Sequence, residues 1–152
     1  MKTKPQVVLP PDQPMERFLL GLPDMDEQHR YLYELFDRLE PAPAVTDAAA
    51  TRKLLTALEQ YILYHFACEE HLMRMYQFPH FAPHKADHES AEDKLGQFLH
   101  DFEHHRLNPA RLRLFLTGWL MEHSQSSDAQ YAPWIKKCRA ELAAAVPQPA
   151  DG

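Results

Sequence analysis

Seven side chains of this sequence have the types and spacing to hold metal ions: His29, His65 and Glu69, His84 and His88, His123 and Asp128. Within the last three groups the separations are i,i+4, i,i+4 and i,i+5. Side chains four apart on a helix point the same way, so each such pair can grip an ion from one side. Five imidazoles and two carboxylates exceed what one tetrahedral zinc ion takes, and they suit two ions bridged by the carboxylates. The set therefore predicts a dinuclear centre. His123 and Asp128 are the geometric exception, because five residues rotate by about 140° on an ideal helix. That pair gains weight only from the convergence of the other three groups.

The elements that must position these residues are legible as four stripes. Met25, His29, Leu32, Phe36 and Leu39 step by 4, 3, 4 and 3 from a start at Asp24, with Asp24 or Asp26 as cap and Pro41 and Pro43 as the stop. A second helix starts near Thr46 or Asp47, carries Leu58, Ile62, His65, Glu69, Leu72 and Tyr76, and closes at Phe78-Pro79. Pro83 suits the first turn of a third, whose stripe His84, His88, Ala91, Leu95, Phe98, Phe102 runs to Leu107. Asn108-Pro109 precedes the fourth, with Leu112, Leu116, Trp119 and His123. Pro133 is expected to end or kink it and leave Trp134 to Ala145 as a short C-terminal helix.

Four such stripes joined by short Pro-marked turns predict an all-α fold, an antiparallel up-down-up-down four-helix bundle. Residues 1–18, with Pro5, Pro10, Pro11 and Pro14, are expected to be an extended N-terminal arm, residues 19–146 the bundle, and residues 147–152 a disordered tail. The suspected ligands all sit at stripe positions and so face inward. Each buried polar group left unsatisfied costs about 1–3 kcal/mol, so five inward histidines and two inward acids require a common partner.

Composition narrows the function classes. The chain of 152 residues is 45% hydrophobic and 25% charged, which fits one domain with a sizeable core. Only 4 glycines argue against a hairpin-rich β protein. A formal charge of −6 without a Lys/Arg run disfavours nucleic-acid binding. No segment has the run of a secretory signal or approaches the roughly 20 apolar residues of a membrane span, so a soluble, cytoplasmic protein, by default a monomer, is expected. Cys68 and Cys138 make no disulfide framework, and Cys68 is expected to be a buried thiol off the ligand face.

Rival metal sites fail on spelling. A zinc protease needs H-E-x-x-H, whereas the His pair of that spacing reads His84-Lys85-Ala86-Asp87-His88. A ferritin-like oxidase needs E-x-x-H motifs, and no histidine here has Glu three residues before it. A single iron on two histidines and one carboxylate leaves four inward ligands unused. What remains is a histidine-rich, carboxylate-poor dinuclear iron bundle. Met25–His29 (MDEQH), His65–Glu70 (HFACEE), His84–His88 (HKADH) and Trp119–Tyr131 (WLMEHSQSSDAQY) follow one another in an order that resembles the hemerythrin family, of the bacterial single-domain kind.

This resemblance runs from about Leu20 to Ile135 and implies a non-haem di-iron centre that binds dioxygen reversibly, for storage, delivery or sensing. It implies that Glu69 and Asp128 bridge the two iron ions beside an oxo or hydroxo group. His84, His88 and His123 would fill one iron, and His29 and His65 the other, with an open position for dioxygen. Leu32 and Phe66 are then candidates for an apolar pocket wall, with Trp119 and Met121 as weaker ones. Where the family commonly has a branched aliphatic after the fourth-helix histidine, this chain has Ser124, within the polar run Ser124-Gln125-Ser126-Ser127. Ser127 is expected on a solvated turn, although it could reach a ligand carboxylate. The family's upstream tryptophan is absent, with Phe18 the nearest aromatic. An enzyme acting on peroxide or nitric oxide, or an oxidase, is the alternative function.

Overall fold

The computed structural model describes residues 19–39, 47–147 and 149. The expected arm, Phe18, and the tail beyond Pro147 apart from Pro149 lie outside them, as do Pro41 and Pro43. The helices are α1 (Pro23–Asp37), α2 (Ala48–Met75), α3 (Phe81–Glu103), α4 (Pro109–His123) and α5 (Ala129–Ala145). A π turn over Ser124–Asp128 joins the last two, so α4 and α5 form one long fourth helix. Each helix packs on its neighbour in sequence, and α1 packs on α4, which closes an antiparallel four-helix bundle. Among the described residues no helix is long and apolar enough to cross a membrane.

Local chemistry sets the helix ends. The Asp47 carboxylate accepts from the N–H groups of Ala49 and Ala50, both at 3.1 Å, and Asn108 accepts from Arg111 N–H at 3.2 Å. Pro23 and Pro109 open α1 and α4, where a missing N–H costs nothing. Ahead of α1, Asp26 accepts from Leu20 N–H at 2.7 Å and Gly21 N–H at 3.1 Å, and the φ of +73° at Gly21 is one that glycine tolerates. The third helix stops at Glu103, short of the expected Leu107. His105 adopts φ 57°, and Arg106 N–H returns to the Asp101 carbonyl at 2.7 Å to satisfy the orphaned end.

Pro133 does not end the fourth helix. It is the fifth residue of α5, which starts at Ala129 and not at Trp134 as expected. The residue four back, whose carbonyl a proline crowds, is Ala129, where the hydrogen-bond register is already changing from π to α.

The core falls into two apolar clusters. One gathers Leu32, Phe36, Leu58, Ile62, Phe66, Leu95, Leu112, Leu116 and Leu120, and the other Leu22, Met25, Met73, Phe78, Tyr131 and Ile135. Along α1 the two are separated at His29, along α2 near Glu69, and along the fourth helix at His123 to Asp128. The polar residues thus form a layer between two dry ones. Replacing Leu112, which is fully buried, by Ala is expected to cost about 2–5 kcal/mol, against about 1 kcal/mol for Asp47→Ala at its exposed cap. Urea unfolding of the two variants measures the difference, and equal losses would contradict this division of core and cap.

Candidate metal centre

All seven sequence-predicted ligands are buried and meet in this middle layer. The imidazoles converge by their Nε2 atoms: His29 and His65 lie 3.1 Å apart, His88 and His123 3.2 Å, and His84 and His123 3.2 Å. The carboxylates lie between the two groups. Glu69 turns Oε1 to His65 at 2.5 Å and His29 at 3.5 Å, and Oε2 to His84 at 2.9 Å and His88 at 3.6 Å. Asp128 turns Oδ2 to His29 at 3.3 Å, and Oδ1 to His123 at 3.0 Å and His84 at 3.2 Å. Each carboxylate therefore offers one oxygen to each histidine group.

The i,i+5 problem disappears in the π turn. There Ala129 N–H reaches the Ser124 carbonyl five residues back, so residues five apart stand in the relation that i,i+4 residues have on an α-helix. His123 and Asp128 consequently face the same centre. Without that wide turn, Asp128 would point away from the bundle axis.

The donor set fits metal ions. Five lone-pair nitrogens at 3.1–3.2 Å repel unless positive charge sits among them. Ligand atoms about 2.1 Å from a metal ion and at right angles around it stand about 3.0 Å apart, close to these separations. Glu69 Oε1 and both Asp128 oxygens are buried with no hydrogen-bond partner among the described residues. Three buried carboxylate oxygens that lack a hydrogen bond and face only imidazoles are the arrangement that cations placed between them satisfy. Two ligand groups lie within single-ion reach: Glu69 with His84, His88 and His123, and Glu69 with His29 and His65.

Charge in the layer is strongly coupled. Burial opposes charge on His29, but Asp128 and Glu69 overcome it and raise its pKa to about 10. His84 follows the same logic and reaches about 9. Burial pushes the Glu69 carboxyl up, yet His65, His29 and His84 hold it well below the ordinary carboxylate range. Burial and Glu69 also push Asp128 up, and His123, His29 and His84 bring it down below its usual value.

A set of outer partners was missed or only half seen in the sequence. His65 Nδ1–H donates to Gln28 Oε1 at 2.8 Å and His88 Nδ1–H to Glu70 Oε1 at 3.0 Å, which fixes Nε2 as the inward atom. His123 Nδ1 lies 3.9 Å from Asp87, and Asp87 accepts from the Ser127 hydroxyl at 2.7 Å. Ser127 is thus turned toward a surface carboxylate and not toward a ligand. Ser124 is buried, with its hydroxyl unpartnered among the described residues. Tyr131, fully buried, has its ring 5.4 Å from that of His84, and burial with Glu69 and Asp128 pushes its hydroxyl well above the usual value. Tyr131 lies three residues after Asp128, a spacing that could have marked it.

Leu32 and Phe66 line a small apolar cavity beside this layer, together with Phe36, Ile62, Leu116 and Trp119. Its volume open to a water-sized molecule is about 10 Å³. Phe66 stacks on His88 at 3.9 Å between centroids, and Trp119 on His123 at 4.4 Å, so the wall also holds two ligand rings in place. Met121 is half-buried against the apolar core. Cys68 is half-buried and lines a different cavity, contrary to its expected burial.

Comparison with known proteins places this geometry. The family described as Hemerythrin HHE cation binding domain matches residues 20–135. A bacteriohemerythrin of Stenotrophomonas maltophilia (strain R551-3) is 30% identical over 117 residues, covering 77% of this chain and 76% of the relative. One from Methylococcus capsulatus is 28% identical over 112 residues, 72% of this chain and 85% of the relative. A solved wild-type hemerythrin superposes with a TM-score of 0.73 at 25% identity, over 81% of this chain and 95% of that one.

Two outcomes follow from the buried charges. In the metal-free protein, His29 and His84 stabilise the fold fully below the ordinary histidine value of 6.5, and that contribution is lost as pH rises through about 9 to about 10. Glu69 and Asp128 contribute above their ordinary values of 4.5 and 3.8, and lose it as pH falls below them. The melting temperature without metal is therefore highest between about pH 4.5 and 6.5, and metal loading removes the alkaline decline because ions replace the protons. A flat profile from pH 6.5 to 10 without metal would contradict the charge assignment. Separately, Glu69→Ala is expected to lose bound metal and lower the melting temperature, measured by elemental analysis and calorimetry. Unchanged metal content would remove Glu69 from the ligand set.

Proposed function

The chain belongs to the hemerythrin family, and we propose on that premise that it binds dioxygen reversibly at a non-haem di-iron centre. The observation that carries this reading is the division of both buried carboxylates between two histidine groups. Glu69 and Asp128 would be shared by the two ions, His84, His88 and His123 would hold one iron, and His29 and His65 would hold the other with fewer ligands. When bound, the iron pair supplies electrons that can be lent to dioxygen and recovered.

The chain's own residues set the outcome of that loan. Five neutral imidazoles to two carboxylates stabilise high iron charge less than a carboxylate-rich site does, which discourages deep oxidation. Leu32, Ile62 and Phe66 line an apolar cavity of about 10 Å³, in which water has no polar partner and a small apolar molecule would enter by displacing the side chains slightly. Phe66 and Trp119 clamp the His88 and His123 rings, and Gln28 and Glu70 hold the His65 and His88 tautomers. Ser127, committed to Asp87, brings no hydroxyl to the ligand carboxylates.

Anaerobic reduction followed by admission of oxygen tests the reading through the visible charge-transfer bands of the iron pair. The expected result is a stable oxygenated spectrum that reverses under vacuum. Immediate conversion to the diferric spectrum would favour an enzyme acting on peroxide, nitric oxide or an oxidisable substrate.

A further inference from the structure

A second cavity opens on the outer side of the two-histidine group, between α1, α2 and α5. It measures about 680 Å³, within the ~300–1,000 Å³ typical of small-molecule sites. Tyr31, Tyr61 and Tyr64 form an aromatic wall, with centroids 4.5 Å apart for Tyr31–Tyr61 and 5.6 Å for Tyr61–Tyr64. Gln28, only 9% exposed, lines the same cavity. Its Oε1 accepts from His65 Nδ1–H at 2.8 Å, and the other end of the amide, Nε2, carries two N–H donors. Gln28 thus links this cavity to a metal-layer histidine by a hydrogen bond.

The lining selects a ligand class. Aromatic faces favour a planar ring, and the Gln28 N–H groups with the tyrosine hydroxyls require acceptors on it. The charged groups Asp24, Glu27, His71 and Arg139 are all exposed, so they stand at the rim and provide no deep anchor for a phosphate tail. A ring carrying carbonyl oxygens meets these conditions.

We propose that this cavity binds a quinone or its quinol, ring against Tyr31 and Tyr61 and one ring oxygen on the Gln28 amide, and that the quinol re-reduces the centre through Gln28 and His65. The reduction rests on the di-iron reading above; the binding does not. In the step, the quinol's two C–OH groups become C=O, its two protons leave to solvent at the open rim, and its two electrons pass one to each ferric ion. The route from ring oxygen to His65 is one amide group and two hydrogen bonds.

Menadione titrated into the metal-free full chain tests the binding by NMR. The expected result is saturable shifts of the Gln28 side-chain amide and the Tyr31 and Tyr61 rings, with Kd raised about tenfold by Gln28→Leu, the effect of losing one hydrogen bond. Tyr61→Ala, which leaves the Gln28–His65 bond in place, should also weaken binding. Absent saturable shifts, binding by both variants as tight as by the unaltered chain, shifts that follow protein concentration as for a second copy, or binding only after removal of residues 1–18 would each overturn the site. With iron loaded, reduced menadione should convert the diferric protein anaerobically, and Tyr61→Ala should slow this about tenfold while leaving reduction by dithionite unchanged. Menadione binding with no difference between the proteins in that rate would overturn the electron route alone.

Discussion

Everything in this molecule is arranged around two fully buried carboxylates. An ionised carboxylate in a dry interior costs several kcal/mol unless positive charge faces it. Glu69 and Asp128 lie side by side without exposure, so their mutual repulsion adds to that cost. Five imidazoles aimed at them offset it only if protons or metal ions occupy the space between. The bundle therefore does not merely carry a site; its middle layer is stable because the site can be charged. The apolar clusters on either side are what make that charge necessary, since they exclude the water that would otherwise solvate it.

What the sequence made legible follows from the period of the α-helix. His65 with Glu69, and His84 with His88, are one turn apart, and the apolar residues flanking them keep the same rhythm, so both the faces and the bundle could be read directly. His123 with Asp128 could not, because no residue type in Ser124–Ser127 encodes a π turn. The wide turn is a tertiary outcome in which the centre holds Asp128 and the helix absorbs one extra residue. Pro133 misled for a related reason, since its penalty is written for a regular helix and it lies where the register is already changing.

The outer partners were hidden differently. Gln28 precedes His29 but serves His65; Glu70 follows Glu69 but serves His88; Asp87 precedes His88 and stands near His123. One step along a helix turns a side chain by about 100°, which takes it from the shared centre to the back of a ligand on the next helix. A residue beside a ligand in sequence thus supports a different ligand in space, a relation visible only once helix neighbours are known. The three partners are also unequal. Glu70, near Lys85 at 3.4 Å, and Asp87, held by Ser127, are acids on the three-histidine side, whereas Gln28 is a neutral amide on the two-histidine side. A histidine that donates to a carboxylate is the stronger donor through its other nitrogen, which sets His88, on Glu70, apart from His65, on the Gln28 amide.

That inequality gives the two cavities distinct meanings. Both border α2, but from different faces: Ile62 and Phe66 line the interior one, and Tyr61, Tyr64 and Cys68 the outer one. The interior cavity is dry and admits only a small apolar molecule, while the outer one is open, polar at its rim and far larger. His65 turns its Nε2 to the ligand layer and its Nδ1 to Gln28, which lines the outer cavity, whereas the interior cavity lies among apolar side chains on the other side of that layer. A neutral amide suits a histidine that would pass electrons on to a metal, because an acid there would strengthen His65 as a donor to that metal and oppose its reduction.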